Sequence, residues 1–434
     1  MRIPFYNREK ELSLLMEVVS SKRAELVILY GRRRIGKTAL STQLLNMTRG
    51  FYIYVENSSL KSFLTNASTI FGRSFKSIDE FLDYAFLELG KENVLLVLDE
   101  YQRISRALSP RIQYHWDASS GVSKIKLLLL GSTIGMIERD IGYLGPLYGR
   151  ATRIIRLNGF DYSDVRKIFK CKERESIEIY SVLGGTPYYL LLYNKSKTLE
   201  ENIRDLFLKT GAPLYEEVER LLATELRDPS RYLEILEAIG MGRLTLKEIS
   251  DYTGLERHQL KKYLLTLEKL MLIEREASIL KKSVPRYRFR DNFFMFYMRF
   301  IHPNIQNIEL GQEEYVINKI IEELPTYLGN TFENICLSMI SKRLQGYRVG
   351  RYWDRDGNEI DVVAIRERDG DVVFFECKMG GVEPSDAVKF KGIASIIAGK
   401  LKIPIPKLYF IVPEKTKEEV EGIKVIGVGD NFSE

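Results

Sequence analysis

Residues 25–45, ELVILYGRRRIGKTALSTQLL, read as a short apolar strand, a tight loop and the opening of a helix. The loop Gly31-Arg32-Arg33-Arg34-Ile35-Gly36-Lys37-Thr38 fits G-x-x-x-x-G-K-[ST], the phosphate-binding loop. Gly31 and Gly36 are expected to take backbone angles that a Cβ would forbid. Successive N–H groups can then turn inward around phosphate oxygens. Lys37 would reach the β- and γ-phosphates, and the Thr38 hydroxyl would ligate Mg²⁺. The helix starting near Lys37 presents its positive dipole end to the same anion. The expected nucleotide contacts run from Gly31 through Thr38 to Ala39. Of the three arginines, Arg32 and Arg33 suit solvent as well as phosphate.

A chain of 434 residues is expected to hold two to four domains. Its hydrophobic share of 45% supplies sizeable cores. The three cysteines, Cys171, Cys336 and Cys377, form no C-x-x-C pair, which argues against a disulfide framework or zinc ribbon. A reducing, cytoplasmic setting follows as the expectation. The N-terminus carries charge too early for a signal peptide, and no apolar run is long enough to span a membrane. The formal charge of +6 is uneven: residues 230–300 hold fourteen Lys/Arg against nine Asp/Glu. That segment is a candidate basic face.

Upstream of the loop, Asn7 is placed to cap a helix through Leu12, Leu15, Met16 and Val19. Residues 51–55 read as a second strand and 56–92 as helical, with Phe71, Phe75, Phe81, Leu82 and Phe86 inward. Residues 93–98 are a continuous apolar run ending in Asp99-Glu100, as buried parallel strands read. Asp99 would hold the Mg²⁺ shell and Glu100 would polarise the attacking water. Residues 126–130 form another buried strand, ending in Gly131-Ser132-Thr133, where Ser132 can touch the γ-phosphate or the water. Residues 154–157 make a fifth strand. Alternating strands and helices argue for an α/β fold with a mostly parallel sheet. Arg150 has two readings, an arginine finger or sensor for ATP and a solvated side chain before a strand.

The run Asn7-Arg8-Glu9-Lys10-Glu11-Leu12, the Asp99-Glu100-Tyr101-Gln102 stretch and Gly184-Gly185-Thr186-Pro187-Tyr188-Tyr189-Leu190 resemble the archaeal ATPase family. That family belongs to the AAA+-related signal-transduction ATPases with numerous domains. The resemblance implies a P-loop sheet with a strand inserted between the two nucleotide motifs, and ATP rather than GTP. It implies an adenine pocket beside the N-terminal helix, with Arg8 among its contacts, and a helical lid over 160–229 that brings Pro187 near the nucleotide. Gly185-Thr186-Pro187 also reads as a plain helix-breaking turn.

Residues 231–291 read as three helices and a hairpin, the winged helix-turn-helix pattern, within a domain set at 230–300. Thr245 caps the second helix over 246–253, and the third covers 258–270. Residues 271–273 and 286–289 would flank a wing around Lys281-Lys282-Ser283. The third helix would turn Arg257, His258, Gln259, Lys261 and Lys262 toward a DNA groove. Lys281, Lys282, Arg286 and Arg288 would meet phosphates. A winged helix that only packs against the ATPase is the rival reading.

After a helical connector over 301–324 the chemistry changes. Within 325–434, strands over 347–354, 358–364, 372–378 and 408–412 surround a turn near Asp369-Gly370 and a helix over 385–398. Asp361, Glu376 and Lys378 follow the pattern D-x14-E-x-K. Strand alternation puts Glu376 and Lys378 on one face and Cys377 on the other. Two carboxylates beside a lysine can bind Mg²⁺ and orient a water against a phosphodiester. Glu333, on the helix before them, is a further candidate ligand or base. The pattern resembles the PD-(D/E)xK nuclease superfamily, with a restriction-endonuclease-like fold. With Tyr352-Trp353-Asp354 it also resembles the C-terminal domain of unknown function that accompanies archaeal ATPases. Ile360 stands where that superfamily usually has proline. A retained fold without cleavage fits the same residues. Residues 427–434 read as a loose tail.

These readings converge on an Mg²⁺-dependent ATPase, core at 1–159, that acts on DNA through its winged helix and C-terminal domain. A homo-oligomer, in which Arg150 reaches a neighbour's ATP, is compatible with it. An ATP-driven regulatory switch, or a winged-helix DNA-binding regulator, is the alternative without nuclease activity.

Overall fold

The computed structural model describes residues 6–132, 134–280, 283–368, 370–404 and 406–430, and the chain forms two compact units. Thr133, Lys281, Lys282, Asp369 and the last four residues of the expected tail lie outside the described residues.

The first unit comprises residues 1–159 together with 186–191 and 221–227. In chain order it contains α1 (Glu9–Ser20), β1 (Glu25–Tyr30), α2 (Lys37–Leu45), β2 (Gly50–Tyr54), α3 (Leu60–Phe71), α4 (Ile78–Asp83) and β3 (Leu95–Asp99). It continues with α5 (Ser105–Ser119), β4 (Lys126–Gly131), α6 (Ile134–Ile141) and β5 (Arg153–Arg156). Every residue of β1, β3 and β4 is buried, as expected of strands covered on both faces. The five strands are parallel, in the order β2-β3-β4-β1-β5. β4 therefore lies between β1, which feeds the phosphate loop, and β3, which ends in Asp99, so the inserted strand is present. β5 is one of the two edge strands and mostly exposed. The helical stretch expected over 56–92 is broken: Gly72 ends α3 at φ +61°, and Ser77 caps α4 by accepting the Glu80 N–H.

The second unit comprises residues 160–185, 192–220 and 228–434. Its helices begin with α7 (Tyr162–Phe169) and α8 (Glu173–Leu183). α9 (Pro187–Leu192) falls almost wholly in the first unit, α10 (Leu199–Ile203) is in the second, and α11 (Glu217–Glu225) is shared. The lid expected over 160–229 is thus divided, and Pro187 belongs to the first unit. Next come α12 (Ser230–Gly240), α13 (Leu246–Thr253) and α14 (Arg257–Lys269), followed by the antiparallel ribbon of β6 (Ile273–Glu276) and β7 (Arg286–Phe289). α13 has the expected bounds because Thr245 and Glu248 form a capping box. Met271, at φ +57°, turns the chain before β6, which starts two residues later than expected.

After α15 (Asn292–Phe296) and α16 (Ile305–Glu309), the single helix α17 (Glu313–Arg343) runs through the boundary expected at 324/325. It holds Pro325 within its length. Then β8 (Arg348–Trp353), β9 (Glu359–Arg366), β10 (Asp371–Cys377), α18 (Pro384–Leu401), β11 (Lys407–Val412), β12 (Glu419–Val420) and β13 (Ile423–Gly427) complete the chain. The sheet order is β12-β13-β11-β10-β9-β8, with β10, β11 and β13 parallel. Gly427 closes β13 and is not part of a loose tail. One face packs on α18 through Phe390, Ala394 and Ile397, the other on α17 through Phe332, Cys336 and Ile340. No described helix is long and apolar enough to cross a membrane.

Candidate functional site

β1 delivers the chain to the phosphate loop from inside the sheet, between β4 and β5. Gly36 stands at φ +96° and Arg34 at φ +66°, so left-handed residues alternate with ordinary ones and curl the loop into a concave nest of amides. Gly31 has a different job from the one expected. A Cβ there would lie 2.4 Å from the Leu157 carbonyl oxygen, so it is required by close packing against the chain leaving β5. Lys37, 6% exposed, donates from Nζ to the carbonyls of Gly31 and Arg32, both at 2.9 Å. Burial pushes its pKa down to about 8 against the attraction of Glu100 and Asp99. Ile35 points into the core, and of the arginines Arg33 is exposed while Arg34 lies over the Tyr188 ring at 4.3 Å. Thr38 and Ala39 are exposed at the start of α2.

Across the loop, the buried Asp99 carboxylate accepts hydrogen bonds from Thr38 Oγ1 and Tyr52 OH at 2.7 Å, both on Oδ2. Two oxygen donors, one hydroxyl and one carboxylate, in contact beside a phosphate cradle are a donor set that suits Mg²⁺. Glu100, at φ +57°, accepts from Ser132 Oγ at 2.9 and 3.0 Å and from Gln102 Nε2 at 2.7 Å. Ser132 is thus a partner of Glu100 in this state. Arg8 is buried and donates to Asn158 O at 2.7 Å and Ile35 O at 3.3 Å. It braces the phosphate loop against the chain after β5. Pro187 opens α9, and the next residue, Tyr188, carries Arg34. Arg150 forks onto Asp117 at 2.9 and 2.7 Å and donates to Tyr148 O at 3.2 Å.

Glu225 is a residue that sequence reasoning missed. Its carboxylate accepts the Ile134 N–H, feels both Lys37 and Glu100, and is pushed by burial up to about 7. Its Oε2 has no hydrogen-bond partner among the described residues. No local pattern marks it, because a helical glutamate is ordinary until the fold buries it. Gln102 was legible within the Asp99–Gln102 stretch, but its hold on Glu100 was not.

In the second unit Asp361 on β9 and Glu376 on β10 occupy adjacent antiparallel strands. Asp361 Oδ2 accepts the Cys377 N–H at 2.8 Å, and Lys378 Nζ lies 3.4 Å from Glu376 and 3.2 Å from Asp386. Burial, then the charge of Asp361, pushes Glu376 up to about 7 and Glu333 up to about 8; burial raises Asp361 as well. All four expected residues therefore converge. Cys377 packs on the α17 side of the sheet, with Cys336. Among the described residues no group of three or more His, Cys, Asp and Glu could hold a metal ion. A cation on Asp361 and Glu376 would keep several waters, as Mg²⁺ usually does.

The ribbon departs from expectation. Arg288 on β7 pairs with Glu276 on β6 at 2.8 Å, and Glu276 also accepts from Arg351 Nη1 on β8 at 2.8 Å. Arg351, 2% exposed, donates from Nη2 to Asn334 Oδ1 at 2.6 Å. Arg286 pairs with Glu359 at 2.5 Å and lies 4.6 Å from the Trp353 ring centroid, and Trp353 Nε1 donates to Val284 O at 2.9 Å. Arg286 and Arg288, expected to meet nucleic-acid phosphates, are engaged by carboxylates. Arg286 through Glu359, and Glu276 through Arg351, fix the ribbon to the C-terminal sheet.

An ATPase domain family found predominantly in Archaea matches residues 5–192, and a family of archaeal and bacterial proteins of unknown function matches residues 297–390. An uncharacterized protein of Methanocaldococcus jannaschii is 32% identical over 457 residues, covering 99% of this chain and 100% of that protein. An uncharacterized ATP-binding protein of the same archaeon is 46% identical over 43 residues, 10% of this chain and 73% of that protein. Among solved structures, the Walker-type ATPase PABY2304 of Pyrococcus abyssi superposes with a TM-score of 0.50 at 22% identity, over 69% of this chain and 97% of that one. The ORC2 protein of Aeropyrum pernix, solved as ADPNP and ADP complexes, gives 0.46 at 16% identity over 72% and 95%. With its nucleotide loop, its inserted strand and a relative matched from end to end, the chain is an ATPase and belongs to the predominantly archaeal family that joins this ATPase domain to a C-terminal domain of unknown function.

Proposed function

We propose that the protein is an Mg²⁺-dependent ATPase acting on DNA, whose Asp361/Glu376/Lys378 cluster cleaves phosphodiesters under control of the nucleotide state. The observation that carries the reading is a phosphate nest with its Thr38–Asp99 pair in the same chain as a convergent two-carboxylate, one-lysine cluster.

At the first site the loop amides and Lys37 would bind the β- and γ-phosphates, and Thr38 and Asp99 would hold the cation. When bound, Mg²⁺ supplies charge neutralisation at the phosphates. Glu100 orients the water and takes its proton, and Ser132 and Gln102 keep its carboxylate in place. At the second site Asp361 and Glu376 would hold a cation. Glu333, kept protonated near neutrality by its burial, suits proton donation to a leaving oxygen. Lys378 lies beside Glu376 to meet a phosphate oxygen.

Helices α12–α14 with the β6–β7 ribbon support a winged-helix reading. Arg257, His258, Gln259, Lys261 and Lys262 are all exposed on α14, so this helix would carry the DNA contact while the ribbon is engaged elsewhere. A second reading, a regulatory switch with slow turnover and no cleavage, is favoured by Arg351 and Arg288, whose charges stand beside the cluster and oppose a bound cation.

The test is incubation with single-stranded, duplex and branched DNA, with Mg²⁺ or Mn²⁺, with and without ATP. Wild type is compared with Asp361→Ala and Lys37→Ala. Cleavage should vanish in the first variant and lose its ATP dependence in the second. Lys37→Ala cutting as wild type does would refute the coupling. ATP turnover without nicking of any DNA would leave the switch.

A further inference from the structure

We propose that the ATPase unit carries a second nucleic-acid site, a basic groove between α3 and α5 that binds a single strand through its phosphates. The groove does not involve the phosphate loop, α14 or the C-terminal cluster, and the proposal is independent of whether that cluster cleaves.

The cleft is open and holds about 1210 Å³, beyond the roughly 300–1,000 Å³ of small-molecule sites. Its walls carry Lys61 from α3, Arg73 and Lys76 from the turn before α4, and Arg106 and Arg111 from α5. All five are exposed. Asp79 is the one acidic residue among the lining, and it is shared between Arg111 at 3.6 Å and His115 at 3.1 Å. Among the described residues Lys61, Lys76 and Arg106 form no ion pair. Arg73 lies 5.8 Å from the Phe75 ring and 5.2 Å from that of Tyr84, a cation–π support that leaves its charge uncompensated.

Five cations against one carboxylate is an excess of four, in a chain whose whole formal charge is +6. Solvated surface charges usually interleave both signs, which keeps local potentials small. Here one sign lines both walls of a concave surface, which focuses the field. The cations are spread over three segments, as a repeating ligand charge requires. A phosphodiester backbone offers one charge per nucleotide and suits that spread. A cleft between two helices admits one strand, and a positive groove tracking the backbone is how sequence-tolerant single-strand binders work.

The test is fluorescence anisotropy on the full-length protein with labelled deoxythymidine and uridine oligonucleotides of about 20 residues, and with a duplex of equal length. Lys61→Glu/Arg106→Glu is compared with wild type, with Lys61→Arg/Arg106→Lys and with Lys261→Glu/Lys262→Glu. At about 0.1 M salt the first variant should bind single strands at least tenfold more weakly. Losing two phosphate contacts should lower its log–log salt slope by about 1.4. The charge-conserving variant should bind as wild type does, and the α14 variant should keep its single-strand affinity. Equal affinity for both oligonucleotides means recognition of phosphate alone, and a preference names DNA or RNA as the source. The proposal is overturned if the glutamate pair changes neither affinity nor slope, if the charge-conserving pair loses binding too, or if single strands depend on Lys261 and Lys262 instead.

Discussion

Replacing Glu225 by glutamine should make the ATPase unit more stable at alkaline pH and tighten its hold on nucleotide. Burial lifts the Glu225 carboxyl from its ordinary 4.5 up to about 7, so its ionised form is disfavoured by about 3 kcal/mol in the native state. The group keeps some contact with solvent, which reduces this to about 2 kcal/mol. Below about pH 4.5 the carboxyl is neutral in both states, and the substitution should change little there. Between 4.5 and 7 the unfolded chain releases its proton while the native state keeps it, so native stability falls as pH rises. Above 7 the whole penalty is present. The glutamine retains an oxygen to accept the Ile134 N–H and carries no charge. Thermal unfolding followed at pH 4.5 and pH 8 should therefore show the variant's midpoint raised by roughly 4–8 °C at the higher pH alone. Titration with a non-hydrolysable ATP analogue should show severalfold tighter binding, because a negative charge no longer competes with the phosphates for Lys37. A variant less stable than wild type at pH 8, or shifted equally at both pH values, would refute the reasoning. So would a hundredfold loss of turnover with binding unchanged, since Glu225 would then take part in hydrolysis.

Gly31→Ala should abolish analogue binding and cost about 2 kcal/mol, because the new methyl meets the Leu157 carbonyl at 2.4 Å and must push the loop off β5. Arg351→Ala should destabilise the second unit by about 3 kcal/mol in urea unfolding, and by less as falling pH neutralises Asp361. Arg150→Ala should leave ATP turnover within about twofold of wild type, since its guanidinium is engaged by Asp117 and a surface ion pair contributes under about 1 kcal/mol. A loss of about a thousandfold would instead assign it the arginine-finger role.

The legible parts of the chain were those with local causes. The buried runs of β1, β3 and β4 and the capping box at Thr245 are written in adjacent residues, and so were read nearly to the residue. The inserted strand was implied by the family resemblance that Asp99-Glu100 helps to carry. What failed depended on distant partners. Gly31 is constrained by Leu157, Arg8 braces Ile35 and Asn158, and Arg288 meets Glu276 across a ribbon. The boundary expected at 324/325 falls inside α17, which continues past Pro325. The β12–β13 pair was missed because its strands are two and five residues long and interrupted by charge.

The two sites also differ in what their charges demand. At the phosphate loop Lys37 is held in a buried place where its charge is disfavoured, and an arriving triphosphate relieves that. At the C-terminal cluster burial disfavours the charge of Glu333, Asp361 and Glu376, and Arg351, Arg288 and Lys378 stand near them. Glu276, shared between the two arginines, ties them to the β6–β7 ribbon. A divalent cation there would meet carboxylates that burial keeps from ionising freely and arginines that oppose its charge.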